Sequence, residues 1–189
     1  MDKSLLRQKC LTLRGALTPQ QREHHAERIA AFLHQRLQSY TQPAHILCYR
    51  SLPSEVATSG IFHQFPQHTY YAPVTHQSGD MHWLSVHPDT PWQQGNFAIT
   101  EPVQGRAWQP ECTPAILICP LVGFDRTGNR IGMGKGCFDR WIAQHPHLFD
   151  LILGLAFSCQ ECEAIPHEPH DIPLHAVITE QGWIPCQNN

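Results

Sequence analysis

Apolar residues recur along this chain in two ways: at helical spacing, and in short unbroken runs. Ala26, Ile29, Ala30, Leu33 and Leu37 fall at helical spacing and give one apolar face. The start of that helix is marked by Thr18 as N-cap, Pro19 at the first helical position and Gln21 completing a capping box. With the segment before it, two helices open the chain. Residues 45–49 then read as a buried strand, 54–65 as a helix, and 69–74 and 81–86 as strands. Residues 87–114 are rich in Pro, Gln and Gly, hold Trp92 and Trp108, and read as a long ordered loop. Residues 115–122 form an almost continuous apolar run, the pattern of a strand covered on both faces. A helix over 136–144 and strands over 151–157 and 175–179 complete the reading. Strands alternating with helices predict an α/β fold. No repeat, low-complexity tract or linker divides it. The expectation is a single three-layer α/β/α domain over residues 1–189, with a mostly parallel, Rossmann-like sheet.

Composition narrows the partners. The 189 residues carry a formal net charge of −3 with pI near 6.5, so no basic field favours nucleic acid. Residues 1–7 lack the apolar run of a signal peptide, and no stretch is long and apolar enough for a membrane span. The eight cysteines are scattered, and Cys48 and Cys119 sit within strand-like runs. That usage suggests reduced thiols in a cytoplasmic protein rather than a disulfide framework.

The chemistry concentrates after the strongest strand. A loop there holds Gly128, Gly132, Gly134 and Gly136 with Arg130 and Lys135 among them, and closes on Asp139-Arg140 at a helix start. Glycines let a backbone turn sharply and bring its N–H groups close to a ligand, and cations among such groups favour phosphate. A Walker loop would need Ser or Thr after Lys135, where Gly136 stands. A dinucleotide fingerprint starting at Gly132 would need glycine at Cys137. On composition, both a phosphate-binding loop and a plain strand-to-helix turn remain open.

The stretch 120–140 resembles the signature of the 5-formyltetrahydrofolate cyclo-ligase family, in which an Arg-Leu-Gly-x-Gly-x-Gly-Tyr-Tyr-Asp-Arg run follows Phe-Asp and Gly. Phe124-Asp125, Gly128, Arg130-Ile131-Gly132, Gly134, Gly136 and Asp139-Arg140 match in order and spacing. Elsewhere Lys3 and Arg7, Tyr49 with Glu55-Val56, Ile99-Thr100-Glu101-Pro102, Gly154-Leu155-Ala156-Phe157, Gln160, Pro166, His170-Asp171 and Val177-Ile178-Thr179 resemble further family segments. The family's first loop tyrosine is Cys137 here, and the second is Phe138.

The resemblance implies a ligase that turns 5-formyltetrahydrofolate into 5,10-methenyltetrahydrofolate at the expense of ATP, with Mg2+ as cofactor. It implies catalytic roles for Arg130 and Lys135. ATP would be held by Lys3, Ser4, Leu5, Leu6 and Arg7, and by Arg130, Ile131, Gly132, Met133, Gly134, Lys135, Gly136, Cys137 and Phe138. The folate would meet Arg50, Glu55 and the loop from Met133 to Cys137, and the metal would take Asp139 and Asp171. No macromolecular or membrane partner is implied, and the expected state is a monomer.

Outside that resemblance the same residues have ordinary roles. Lys3 and Arg7 would be a solvated helix face. Glu55 and Asp139 would be carboxylates at helix starts, and Asp171 a turn residue. Two rival functions follow from other features. Loss of the tyrosine at Cys137 suggests a folate- or nucleotide-binding protein without turnover. Cys159, Cys162, His167 and His170 suggest a small zinc-stabilised interaction module, although their central gap is shorter than in zinc fingers.

Overall fold

The computed structural model describes residues 2–62, 64–112, 114–145, 148–168 and 171–187. Helices α1 (Lys3–Ala16) and α2 (Pro19–Gln38) open the chain. At the start of α2 the Thr18 hydroxyl accepts from the Gln21 N–H at 3.1 Å, and the Gln21 side chain accepts from the Thr18 N–H at 2.9 Å. The capping box read from the sequence is formed.

The strands that follow are β1 (His45–Cys48), β2 (Thr69–Thr75), β3 (Met81–Val86), β4 (Trp92–Gln94), β5 (Thr100–Pro102), β6 (Ala115–Cys119), β7 (Gly123–Phe124) and β8 (Arg130–Ile131). Helix α3 (Cys137–Ala143) and strands β9 (Leu151–Leu155), β10 (Ala176–Thr179) and β11 (Gly182–Pro185) come last. Seven strands form one sheet in the order β11-β10-β9-β6-β1-β2-β3. Strands β10, β9, β6, β1 and β2 run parallel, and the two edge strands run antiparallel to their neighbours. The predicted mostly parallel α/β sheet is therefore observed.

Alternate residues of each strand supply opposite faces of the sheet. Ile46, Cys48, Ile116, Ile118, Leu153, Leu155 and Ile178 pack with Ala26, Ile29, Leu33 and Leu37 of α2. Leu47, Leu117, Cys119, Ile152 and Val177 face the other way and pack with Trp141 and Ile142 of α3, and with Trp83 and Trp108. Both faces of β6 are covered, which is why its sequence is apolar without alternation. A third apolar cluster lies apart from these layers. Leu6 and Cys10 of α1 meet Val122, Ile131, Cys162 and Ile165, so α1 is seated on the β7–β8 hairpin.

Three readings of the sequence need correction. Residues 54–65, expected to be a helix, form successive turns among the described residues. The Thr58 hydroxyl donates to the Tyr49 carbonyl at 2.8 Å and accepts from the Ser51 N–H at 3.1 Å, and the Ser51 hydroxyl accepts from the Thr58 N–H at 3.2 Å. Such side-chain bonds compete with the helical ladder, and Gly60 weakens it further. Residues 87–114 are not only loop: β4 and β5 pair there as a hairpin, too short to leave a periodic pattern. The strand expected over 115–122 ends at Cys119, because Pro120 has no N–H for a ladder. Strand β11 and the β7–β8 hairpin were not anticipated.

Leu33 is fully buried between α2 and the sheet. Leu33→Ala should lower unfolding stability by about 2–5 kcal/mol, measured as a shifted urea midpoint with an unchanged slope.

Candidate functional site

The parallel strands end at a common cleft, where ligands of open α/β sheets bind. Tyr49 and Arg50 follow β1, Pro120 and Leu121 follow β6, and Pro73 and Thr75 come from β2. Phe97 and Ile99 from the β4–β5 hairpin form another wall, and the glycine loop from Gly132 to Asp139 forms the floor. The cleft encloses about 1100 Å³ of empty space, counting what opens to solvent.

The loop keeps its shape through two networks. Upstream, the buried Asp125 carboxylate accepts from the N–H groups of Thr127 at 3.0 Å, Asn129 at 3.1 Å and Ile165 at 2.8 Å, and from the Thr127 hydroxyl at 2.7 Å. The Phe-Asp and Gly elements of the signature thus build the turn between β7 and β8. Downstream, Gly134 and Gly136 take φ of 92° and 64°, conformations that side-chain-bearing residues rarely adopt. Between the networks lies Arg130, whose guanidinium is buried. It donates to the Asp139 carboxylate on α3 and to the Ile172 carbonyl.

Helix α1 closes the same loop from outside. The Arg7 Nε donates to the Gly132 carbonyl at 2.8 Å. The Lys3 ammonium donates to the Asp171 carboxylate at 2.7 Å and lies 3.5 Å from Glu168. Lys135 extends over the Phe97 ring, 5.4 Å from its centroid. Phe97 and Ala98 both have left-handed backbone, φ 57° and 60°, an uncommon state for residues other than glycine.

At the other end of the cleft, the Glu55 carboxylate accepts from the Leu52 N–H at 2.8 Å. Burial raises its pKa, while that N–H and the charge of Arg14 oppose the rise. Arg14 is 2% exposed and reaches the Ser54 hydroxyl at 3.1 Å. The nearby Tyr49 hydroxyl donates to the Val56 carbonyl at 3.2 Å, and burial pushes its pKa well up.

Of the residues singled out in the sequence, Arg50, Glu55, Arg130, Gly132, Met133, Lys135, Gly136, Cys137, Phe138 and Asp139 line this cleft. Leu6 and Ile131 are buried in the third apolar cluster, so any ligand contact from them is through backbone. Ser4 and Leu5 are exposed on α1. Sequence reasoning missed Tyr49, Leu52, Pro73, Thr75, Phe97, Ile99, Pro120 and Leu121 as walls of the cleft, and Arg14 behind Glu55. Arg14 left one signal: it continues the four-residue spacing of Leu6 and Cys10, a cation on the buried stripe of α1.

The proposed zinc ligands do not come together among the described residues. Cys162 faces Cys10 at 3.5 Å, and the His167 Nδ1 is 3.2 Å from the Asn129 side-chain oxygen. His170 lies outside the described residues. Nor do three or more His, Cys, Asp or Glu side chains converge elsewhere among them as a possible metal cage. No helix among the described residues is long and apolar enough to cross a membrane.

Known proteins with these features are consistent with one another. The 5-formyltetrahydrofolate cyclo-ligase family profile matches residues 1–180. The 5-formyltetrahydrofolate cyclo-ligase of Haemophilus influenzae is 32% identical over 178 residues, covering 92% of this chain and 95% of that protein. The Escherichia coli K12 protein of the same name is 33% identical over 174 residues, covering 88% and 93%. The solution structure of Aquifex aeolicus 5,10-methenyltetrahydrofolate synthetase superposes with a TM-score of 0.79 at 27% identity, covering 100% of this chain and 95% of that one. A Mycoplasma pneumoniae 5,10-methenyltetrahydrofolate synthetase, 24% identical with a TM-score of 0.75, shares the fold over 95% of this chain and 99% of its own. With its sheet, its glycine loop and nearly its whole length matched, this chain belongs to the 5-formyltetrahydrofolate cyclo-ligase family.

Proposed function

We propose that this protein cyclises 5-formyltetrahydrofolate to 5,10-methenyltetrahydrofolate with consumption of ATP and release of ADP and phosphate. The observation that carries this reading is one cleft in which a half-buried carboxylate, Glu55, lies across from a cationic glycine loop. One end suits the hydrogen-bonding edge of a pterin, the other a polyphosphate. The formyl oxygen attacks the γ-phosphate and gives an activated imino-phosphate. The neighbouring folate nitrogen then attacks that carbon, and phosphate leaves.

Phosphoryl transfer depends on positioning and on stabilising charge. The backbone around residues 132–136 binds the β- and γ-phosphates. Lys135 and Arg130 neutralise charge on the transferring group, and Arg7 adds a third cation from α1. To reach the phosphates, Lys135 leaves the Phe97 ring. Asp139 and Asp171 are hard oxygen donors, which suit Mg2+ when nucleotide phosphates complete its coordination. In the empty site Asp139 is bound by Arg130 and Asp171 by Lys3, so a metal at either carboxylate would share it with a cation already there. A bound Mg2+ supplies charge neutralisation there. We further propose a cytoplasmic monomer, a location in keeping with eight free thiols. Turnover is favoured over mere binding because both loop cations the chemistry needs are present.

Lys135→Ala should lower kcat by about 100- to 1,000-fold while the thermal unfolding profile stays unchanged. The readout is ATP-dependent growth of methenyl-folate absorbance, and a variant with full rate would remove the loop from the mechanism.

Glu55 gives a pH-dependent prediction. Its folded pKa lies above the unfolded value of about 4.3, so the folded state binds more protons in that window. Its contribution to stability therefore falls as pH rises from the unfolded pKa through the folded one. Glu55→Gln should raise Tm at pH 8, with the gain vanishing below about pH 4, and should weaken folate binding.

A further inference from the structure

Folates carry a glutamyl tail whose carboxylates are ionised at neutral pH. The cleft has three cationic side chains in its lining: Arg50, Arg130 and Lys135. Arg130 is engaged by the Asp139 carboxylate and the Ile172 carbonyl, and Lys135 belongs to the glycine loop. Arg50 stands apart from both, just beyond the end of β1.

Its guanidinium carbon lies 4.3 Å from the centroid of the Trp92 ring and 5.6 Å from that of Phe62. Stacking on an aromatic face fixes the plane of a guanidinium and leaves its N–H fork free to bind a carboxylate edge-on. None of the ion pairs among the described residues involves Arg50. Half-buried cations of this kind are stabilised by an anion, and here the protein leaves that place to a ligand. Phe62 and Trp92 are themselves in edge-to-face contact at 6.0 Å, so the platform is built from two separate segments of the chain.

We propose that Arg50 is the receptor for a carboxylate of the glutamyl tail of the folate. The assignment rests on the folate reading of the cleft and adds to it a subsite of defined chemistry. The pterin meets Glu55, the formyl group faces the glycine loop, and the tail leaves the cleft along the wall that carries Trp92. Arginine rather than lysine suits this place, because its planar fork binds a carboxylate through two parallel bonds.

The test compares two substrates, 5-formyltetrahydrofolate and the primary amide of 5-formyltetrahydropteroate, which replaces the glutamate with an uncharged amide and so carries no carboxylate. Both are measured for binding by tryptophan fluorescence and for ATP-dependent cyclisation, with the wild type, Arg50→Met and Arg50→Lys. Arg50→Met should raise the Kd and KM for the glutamyl substrate by about 10- to 100-fold. The KM for ATP, and the Kd for the pteroate amide, should stay within about twofold of wild type, within the scatter of near-neutral surface changes. Arg50→Lys should fall between, retaining charge without the fork. If Arg50→Met weakens both folates equally, or neither, the subsite is overturned. If binding discriminates between the two as stated but no methenyl product forms, the subsite stands and the ligase reading fails.

Discussion

The buried guanidinium of Arg130 holds the site together. It joins the β7–β8 hairpin, where it resides, to Asp139 on α3 and to the Ile172 carbonyl of the C-terminal segment. The C-terminal segment lies 42 residues beyond Arg130 in sequence, while Arg130 and Asp139, nine residues apart, both line the cleft. A buried charge is costly when it loses a partner, so the arrangement resists piecemeal change. Without Arg130, Asp139 would face the loop as an unneutralised carboxylate and, in the proposed reading, repel the phosphates assigned to it. The same side chain therefore sets the shape of the site and, in the proposed reading, supplies charge to the bound nucleotide.

Helix α1 extends this coupling across the cleft. Lys3 binds Asp171, Arg7 binds the Gly132 carbonyl, and Arg14 reaches Ser54 beside Glu55. Leu6 and Cys10, between these cations, anchor the helix on Val122 and Ile131. Its fourteen residues thus touch both the glycine loop and the Glu55 end of the cleft. A shift of α1 on its apolar seat would move cations at both ends together, which in the proposed reading couples nucleotide capture to the environment of Glu55.

How much of this was readable from the sequence depends on the range of the forces involved. The α2 face, its capping box and the β6 strand were legible because they follow local period, local caps and continuous burial. The glycine loop was legible as a motif. Its conformation was not, since it depends on Asp125 reaching Ile165 and on Arg130 reaching Ile172, contacts some forty residues apart. The turns at 54–65 defeated a helical reading because Thr58 and Ser51 bond across a gap of seven residues, a pairing no periodic pattern reports. Hairpin walls such as Phe97 and Ile99 were invisible for a related reason. Strands of three residues carry too few positions to display alternation.

Replacement of a tyrosine by Cys137 looked from the sequence like the weak point of the site. The geometry moves that weakness elsewhere. Cys137 and Phe138 both line the cleft, and the Phe138 ring also meets that of Trp83 edge-on at 5.9 Å. Further aromatic surface around the cleft comes from Tyr49 and Phe97, on segments that face the loop rather than belong to it. What a tyrosine at 137 would add is therefore a hydroxyl more than a ring. In the proposed reading, Glu55 and Arg50 already supply directional polar contacts from the β1 side. Recognition of the folate then leans on the end of β1, and the loop is left to the phosphates, for which glycines, Arg130 and Lys135 suffice.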